Sequence, residues 1–501
     1  MNQPSILPIL ALVFPLIGAI ALPWIDRFFS GMADRFTAIV TLASAIAVGS
    51  MYPHIKAGKI LVYSISTGLP VGLSFYVDSL GFFVGMISVI IWMLGSFYAI
   101  GFMKGADSHV RYDAFSLLTL LGMLGVVFTG DLFSLYVFFE ILSVASFMLM
   151  AHKQTKAALK GGLIYIFMGI SGGLILLFSI LLTYTLAGTI NLSMIGLGLK
   201  GSPFLPFIFI GYLIGFGVKA GIFPLHFWMP SAYPEAPTCA VALSSGVMIK
   251  AGAYGIIRTL YGIMGSDLMK GSILAGLLLF MAMLSIFVGS AAAINQSDIK
   301  RLLGYSSVSQ IGYIMMGVAL LSPTGLLGGL VHIFNHAIIK AALFLCAGSM
   351  IKQTGRRYLP ELKGIGREMP IVTFCFSFAS LSMIGLPPFN GFISKWFLAL
   401  GALESAKVGS YSQWIGISAV GLLILSSFMN LVYYGPIVYG AWFEKRKDES
   451  ESKPDNDKKT ASDPEASMLL PILILAAATL VFGILPGWPL KLARQISNMV
   501  F

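Results

Sequence analysis

Residues 204–223 read FLPFIFIGYLIGFGVKAGIF, and Pro224 follows directly. A transmembrane helix needs about 20 predominantly apolar residues, and this stretch has that character, with Lys219 as its charged side chain. A charge at membrane depth costs about 2.5–3.5 kcal/mol on insertion scales and usually marks an ion or proton path. The stretch therefore predicts a membrane helix that is broken near its end and carries a functional lysine.

The rest of the chain has the composition of a polytopic membrane protein. Of its 501 residues, 57% are hydrophobic and 11% are charged, whereas soluble domains have about 25% charged residues. The first apolar span has no preceding Lys or Arg, so we expect a retained helix rather than a signal peptide. About fourteen transmembrane helices are predicted, near residues 5–25, 36–52, 79–102, 113–130, 132–151, 161–188, 204–223, 238–262, 271–295, 302–321, 324–351, 370–402, 412–443 and 467–488.

Two interrupted helices divide the chain. Pro224 follows Lys219 in the seventh predicted helix, and Pro387 and Pro388 precede Lys395 in the twelfth. Because the seventh and twelfth helices are five positions apart, an odd number, the pattern predicts two inverted five-helix repeats, each with a broken helix, in an all-α polytopic fold. The predicted parts are the N-terminal helices (1–112), the first repeat (113–262), the second repeat (271–443), a charged cytoplasmic loop (444–466) and the last helix with its tail (467–501).

The net charge of +11 does not require a nucleic-acid partner. Most Lys and Arg residues lie in loops after odd-numbered helices, and the positive-inside rule makes those loops cytoplasmic and both termini external. Cys239, Cys346 and Cys375 lie in apolar helices without metal-ligand spacing. We therefore expect no cofactor and no metal.

The buried ionisable residues are the candidate site. Glu140 lies mid-helix, too far from either end to reach water, and a carboxylate there can stay charged only beside a cation. Lys219 is its natural partner, and Lys250 also lies mid-helix; a desolvated lysine can release and rebind a proton. A permanent structural ion bridge is the alternative interpretation.

Three further basic residues, His332, His336 and Lys340, recur every four positions and therefore share one helix face. Imidazole can accept a proton on one nitrogen and donate from the other near neutral pH, so this spacing predicts a proton relay. A metal site would need more ligands. A satisfied core histidine is the ordinary alternative for either imidazole alone.

Long motifs carry a family resemblance. The segments 219–238, 298–310 and 385–395, together with Lys250 and the two-histidine helix, resemble the antiporter-like subunits of respiratory complex I and of Mrp-type cation:proton antiporters. The match covers most of the chain. One complex I class carries glutamate at the position of Lys395, and the long C-terminal amphipathic helix of the distal complex I subunit looks absent. The resemblance is therefore strongest to the Mrp D-type subunit and its relatives in energy-converting membrane hydrogenases.

The resemblance also implies roles for individual residues. Glu140 would pair with Lys219, His226 would assist near the first break, and protons would follow a hydrated axis that ends at Lys395. The implied translocation residues are Glu140, Lys219, Lys250, His332, His336, Lys340 and Lys395, and the implied helix breaks are at Pro224, Pro237, Pro387 and Pro388.

The predicted function is proton translocation, with coupling to Na⁺ left open, by one subunit of a Mrp-, complex I- or hydrogenase-like complex in a prokaryotic cell membrane. Its expected partners are other membrane subunits, the lipid bilayer, H⁺ and, where that coupling holds, Na⁺. The chain itself has no redox or hydrolytic centre that its motifs reveal. The alternatives are a scaffold subunit with structural buried charges and a stand-alone transporter for an organic solute.

Overall fold

The computed structural model describes residues 2–29, 31–65, 72–106, 108–192, 194–195, 199, 201–445 and 461–501. Helices dominate this part of the chain. In chain order they are Leu7–Phe28 (α1), Ala33–Gly49 (α2), Tyr52–Lys56 (α3), Ser79–Phe102 (α4), His109–Phe128 (α5), Leu132–Met150 (α6), Lys156–Ala187 (α7), Leu205–Ala220 (α8), Trp228–Ala232 (α9), Thr238–Met264 (α10), Ser266–Met269 (α11), Ile273–Ile294 (α12), Ile299–Ala319 (α13), Pro323–Thr354 (α14), Ile365–Glu368 (α15), Pro370–Ile384 (α16), Asn390–Lys407 (α17), Gln413–Phe443 (α18), Ala466–Ile484 (α19) and Gly487–Val500 (α20).

The helical membrane class is confirmed. Every predicted span overlaps a helix, and the described residues include 11 helices that are long and apolar enough to cross a membrane. The span predicted at 370–402 consists of two helices, α16 and α17. The number of fourteen spans stays a prediction.

A small sheet, which the sequence analysis did not predict, joins the N-terminal helices. Strand β1 (Asn2–Pro4) pairs in parallel with β2 (Ile60–Ile65), and β2 pairs antiparallel with β3 (Leu73–Val77). Leu61 and Val77 lie opposite each other and are fully buried. The sheet thus adds a β element to a fold that was expected to be entirely α-helical.

The centre of the fold is formed by α10 and α14, whose most apolar segments are buried along their whole length. By contrast, α7 and α18 bury about a third of theirs or less, and apolar side chains such as Phe167 and Phe428 point outward. Close packing depends on small residues: a Cβ on Gly252 of α10 would collide with the backbone of Phe216 and Ala220 on α8. Lys250, His332, His336 and Lys340 therefore lie on the innermost helices.

Two spans are interrupted, as predicted. The first interruption begins where α8 ends at Gly221, whose φ is 71°, and the chain resumes helical structure at α9. The second begins where α16 ends at Gly385, with a φ of 94°, and α17 starts at Asn390. Left-handed glycine is a common helix end because it has no Cβ to clash. Four long helices (α10, α12, α13 and α14) separate the interrupted spans, so these two run in opposite directions.

The described ends of the charged segment 444–466 dock on helix ends, while residues 446–460 lie outside the described residues. Asp463 accepts hydrogen bonds from the backbone N–H groups of Ile371 (3.1 Å) and Val372 (3.0 Å) at the start of α16. Glu465 pairs with Lys104 at 3.2 Å. These contacts place the start of α19 next to α4 and α16 on the face that the charge pattern predicts to be cytoplasmic.

The C-terminal tail forms helix α20 on the opposite face. Leu492 and Ile496 are buried, and α20 packs on the N-terminal ends of α4 and α14. Gln495 donates to Ser79 Oγ at 3.0 Å, and Ser497 Oγ donates to the Pro323 carbonyl at 2.9 Å. This short helix therefore links the N-terminal helices to the second repeat.

A buried ion pair fastens the start of α4 to the end of α10. Both guanidinium N–H groups of Arg258 donate to Asp78 at 2.6 Å, and Asp78 also caps α4 by accepting from Gly81 N at 2.9 Å. Burial by itself raises the pKa of the Asp78 carboxyl, but the charge and hydrogen bonds of Arg258 outweigh it and leave the pKa below its usual value. The carboxylate is therefore charged at physiological pH.

We expect Asp78→Asn to destabilise the folded chain by about 3 kcal/mol, because it leaves the Arg258 charge buried without a counter-ion. Asparagine retains the helix cap, so the change isolates the charge pair. A carboxyl with a lowered pKa stabilises the fold above its unfolded pKa, about 3.9, and this contribution disappears as the pH falls through the folded value. Thermal unfolding in detergent should therefore show a constant deficit between about pH 5 and 8 that shrinks below about pH 4.

The matched control is Asp267→Asn, because the Asp267 side chain is 95% exposed in its pair with Lys270. It should leave the melting temperature unchanged. Equal melting temperatures for wild type and Asp78→Asn at pH 7 would contradict the assigned role of the pair.

Candidate functional site: a buried lysine and histidine axis

Glu140 lies on α6 near the outer surface of the chain. Its carboxylate packs against Gly173 of α7, where a Cβ would collide with Oε1. That oxygen is buried and has no hydrogen-bond partner among the described residues. Burying an unpartnered polar atom costs about 1–3 kcal/mol, so this carboxylate lacks the partner that its position requires.

Lys219 is buried near the end of α8, beside α6, but it forms no salt bridge with Glu140. Its amine donates instead to the hydroxyl of Tyr165 at 2.7 Å and to the hydroxyls of Ser146 (3.3 Å) and Ser143 (3.4 Å). Ser143 lies one turn beyond Glu140 on the same helix. The pair implied by the resemblance is thus replaced by neutral hydroxyl groups that surround the lysine amine.

Lys250 is held by a local change in helix geometry. Residues Ser244–Met248 of α10 are π-helical, and the Lys250 amine donates to the carbonyl of Ser245 at 2.5 Å. A π-bulge leaves a carbonyl outside the regular hydrogen-bond ladder, and such bulges are frequent at functional sites. The same amine lies 2.7 Å from Nδ1 of His336 on α14.

His336 and His332 stack along α14, with ring centroids 6.1 Å apart and an interplanar angle of 15°. His332 Nε2 lies 3.0 Å from Oε1 of Gln310, and its Nδ1 lies 2.9 Å from the hydroxyl of Ser394. An amide oxygen can only accept, so Nε2 donates its proton to Gln310. The Ser394 hydroxyl also donates to the Gly391 carbonyl at 3.2 Å. His336 Nε2 is buried and has no partner among the described residues.

Lys395 follows Ser394 on α17, and its amine contacts backbone carbonyls at the second helix break. Its amine donates to the carbonyls of Ile384 (2.8 Å) and Met383 (3.1 Å), which are freed where α16 ends, and to Ser427 Oγ at 3.0 Å. It also lies 5.2 Å from the ring centroid of Tyr313, a distance at which cation–π attraction operates. The break therefore provides the acceptors for this lysine.

Lys340 lies one turn beyond His336 and is fully buried. Its amine donates to the Leu303 carbonyl at 3.0 Å and to the hydroxyl of Tyr434 at 3.4 Å. The structure therefore places Lys340 beside α13 and α18, whereas Lys250 contacts His336 from α10.

His226 and the prolines occupy the predicted neighbourhood of the breaks. His226 follows Pro224 in the first break, where its ring stacks on Phe227 at 4.7 Å and its Nδ1 has no partner among the described residues. Pro387 and Pro388 lie in the second break, between α16 and α17. Pro237 immediately precedes α10 and so marks the start of a helix instead of interrupting one.

Several polar residues of the axis were missed by the sequence analysis. Tyr434 bonds to Ser306 at 3.0 Å, Tyr433 bonds to Ser306 at 3.1 Å and to Asn430 at 2.5 Å, and Asn430 donates to the Met383 carbonyl at 3.3 Å. Together these bonds connect the surroundings of Lys340 to those of Lys395. Serine, tyrosine and asparagine are common in helices, so their presence alone does not indicate a functional role. Only their position on the helix face that carries the lysines could have identified them.

The four lysines of the axis share one electrostatic property. None of Lys219, Lys250, Lys340 and Lys395 forms a salt bridge with a carboxylate within the described residues. Each is held by hydroxyl, carbonyl or imidazole groups, all of which are neutral. Such partners do not hold the amine permanently charged as a carboxylate would, so a proton can be released and regained.

A buried basic residue outside the lysine and histidine axis contacts the loop between α9 and α10. Lys300 donates to the carbonyls of Pro234 (2.8 Å) and Ala236 (2.6 Å). Next to it, Arg357 bridges Asp298 and Glu235. A polar cavity of about 430 Å³ opens beside this cluster. The cavity reaches Pro230 and Ser231 of α9, the short helix that follows the first break.

The comparisons with known proteins agree with this geometry. Residues 129–425 match the family described as "NADH:quinone oxidoreductase/Mrp antiporter, TM". The chain belongs to this family. It is 32% identical over 95% of its length to NADH-quinone oxidoreductase subunit N of Desulforudis audaxviator, of which 95% is covered. It is 30% identical over 86% of its length to the D-type subunit of a Na(+)/H(+) antiporter of Alkalihalophilus pseudofirmus, of which 84% is covered.

A solved structure has the same fold. One chain of the membrane-bound sulfane sulfur reductase, an archaeal respiratory membrane complex, superimposes with a TM-score of 0.87 at 26% identity. The alignment covers 99% of this chain and 98% of that one. The family resemblance that the motifs predicted is therefore confirmed for sequence and fold together.

We expect Gln310→Leu to slow ion movement through the chain by about fivefold, because it removes the acceptor of the His332 Nε2 proton and a hydrogen bond is worth about 1 kcal/mol. The measurement is transport by membrane vesicles that contain the assembled complex. Gln413→Leu, at the exposed start of α18, is the matched control and should transport at the wild-type rate. Wild-type transport by Gln310→Leu would separate His332 from the ion path.

Proposed function

We propose that this chain moves protons along its buried lysine and histidine axis as the ion-translocating subunit of a larger membrane complex. The supporting observation is the sequence of contacts from Lys250 through His336 and His332 to Ser394, the neighbour of Lys395. Amine and imidazole groups can each release and take up a proton. The axis thus offers alternate proton carriers across the centre of the fold.

The step between the two histidines needs a further carrier. Their rings stack without a direct hydrogen bond, and His336 Nε2 has no partner among the described residues. A water molecule that bridges polar groups would satisfy this nitrogen and carry the proton. Broken helices at membrane depth are tolerated where they line a hydrated cavity, and both breaks flank this region.

Glu140 fits the role of a gate at the edge of the chain. Its carboxylate lies on the side of α6 that neighbours exposed apolar residues, including Val144 and Leu174. Another membrane subunit packed there would change the field at Glu140 and, through Ser143, the surroundings of Lys219. A change of charge at this edge would then alter the proton affinity of the first lysine of the axis.

The ionisable side chains of the axis are better suited to carrying protons than to binding sodium ions. Hard cations bind best to several oxygen ligands, whereas the central groups of this axis are nitrogen bases. We propose that any exchange for Na⁺ takes place in the same complex but not along this axis.

The partners are the other membrane subunits of a Mrp-, complex I- or hydrogenase-like assembly, by analogy with the complexes named for the relatives. The exposed apolar faces of α7 and α18 provide surfaces for lipid and for such subunits. We place the chain in a prokaryotic cell membrane with both termini outside, because the basic loops then lie in the cytoplasm.

Replacing the first lysine of the axis tests the proposal. In vesicles that contain the intact complex, Lys219→Ala should reduce proton movement by roughly 100-fold, the size expected for loss of a proton-transfer group, while complex assembly stays normal. Glu140→Ala should have a similar effect. Proton and Na⁺ movements are recorded with pH- and Na⁺-sensitive dyes in the same preparation.

The matched control is Lys104→Ala, because the Lys104 side chain is 74% exposed outside the axis. It should transport at the wild-type rate. Unchanged transport by both Lys219→Ala and Lys250→Ala would identify the chain as a scaffold whose buried charges are structural. Loss of assembly in these variants would also favour that scaffold role.

A further inference from the structure

A second group of ionisable residues lies away from the axis, where the start of α2 meets the start of α5. Asp34 is in the first turn of α2, His109 begins α5, and Asp113 lies one turn further along α5. His109 Nδ1 is 3.0 Å from Oδ1 of Asp34. One potential ligand atom from each of the three side chains lies within 4.8 Å of the other two.

Two buried oxygen atoms beside this group have no partner among the described residues. Asp113 is 2% exposed, and its Oδ2 accepts no hydrogen bond. Thr37, one turn after Asp34 on α2, is 1% exposed, and its Oγ1 is also unpartnered. An unsatisfied buried carboxylate oxygen is costly, and the Asp113 carboxyl group faces both Asp34 and Thr37 across the two helices.

The nearest basic side chain does not supply that ligand. Arg111 lies between His109 and Asp113 in sequence, but its guanidinium donates to the His152 carbonyl at 2.7 Å and to Ser108 Oγ at 3.3 Å. Neither carboxylate of the cluster forms a salt bridge with Lys or Arg within the described residues. His109 is therefore the only basic side chain that contacts these carboxylates there.

We propose that Asp34, His109 and Asp113 bind a divalent cation of the zinc class. Zn²⁺ takes histidine nitrogen and carboxylate oxygen at about 2.0–2.2 Å, and small side-chain adjustments would bring ligand atoms within 4.8 Å to such distances. The imidazole favours zinc over magnesium or calcium. Thr37 Oγ1 or water would complete the coordination.

The position of the site gives the ion a role outside the translocation axis. It would connect α2, one of the N-terminal helices, to α5, the first helix of the predicted first repeat. The side chains of His109 (27% exposed) and Asp34 (17% exposed) open the site to solvent at this face. Zinc could therefore bind and leave in the assembled complex and adjust how firmly the two helices are held.

Direct metal binding tests this proposal. The full-length chain, purified in its complex and stripped with a chelator, is titrated with Zn²⁺ against a chromophoric competitor. We expect one site per chain that Asp113→Asn weakens by roughly 100-fold, because removing a ligand should cost at least as much as removing the group that orients it. Asp267→Asn removes an exposed carboxylate elsewhere and should leave the affinity unchanged.

A second variant and a spectroscopic measurement keep the test decisive. If Asp113→Asn does not assemble, His109→Gln, at a partly exposed position, should show the same loss of affinity. X-ray absorption spectroscopy at the zinc edge should show one nitrogen and at least two oxygen ligands of the metal in the wild type. In His109→Gln the nitrogen ligand should be lost. Equal zinc affinity in wild type and both variants, or no zinc site in the wild type, would overturn the proposal.

Discussion

Buried lysine amines satisfy backbone carbonyls that the helix breaks would otherwise leave without a partner. In a membrane no water is available to lipid-facing backbone groups, so an interrupted helix needs donors from the protein or from an internal cavity. Lys395 donates to the two carbonyls at the end of α16, and Lys250 donates to the Ser245 carbonyl within the π-helical stretch of α10. The irregular backbone and the buried base at these positions therefore depend on each other.

The two broken spans satisfy the backbone carbonyls at their helix ends in different ways. At the first break the Val218 carbonyl accepts from the indole N–H of Trp228 at 2.8 Å. The Lys219 amine donates to hydroxyl groups of α6 and α7 instead. At the second break the lysine itself is the donor. The two broken spans thus share a left-handed glycine at the helix end but not the bonding. This difference leaves Lys219 close to Glu140 at the chain edge and Lys395 enclosed beside Tyr313.

Neutral partners give the axis its chemical character. A carboxylate beside each lysine would hold the amine charged, and breaking such a buried pair would be strongly unfavourable. Hydroxyl, carbonyl and imidazole partners instead allow both protonation states at the same position. The family to which the chain belongs includes proteins named as antiporter and oxidoreductase subunits.

Local features of the sequence were sufficient to predict the membrane class, the positions of the helices and the sites of both interruptions. Apolar length sets a span, and glycine and proline next to Lys219 or Lys395 end a helix. The basic residues were also identified in this way, because a charge in an apolar span stands out without knowledge of its neighbours. The spacing of His332 and His336 was enough to place both on one face of α14.

The contacts between these groups depend on how distant helices pack, and the sequence did not reveal them. The hydroxyls around Lys219 come from α6 and α7, and the partners of His332 come from α13 and α17, so no local pattern could indicate them. Asp34 and Asp113 are distant in sequence, and the expectation of no metal rested on spacing within single segments. The N-terminal sheet was also missed, because short strands that pair across distant segments have no periodic signal in a chain dominated by apolar helices.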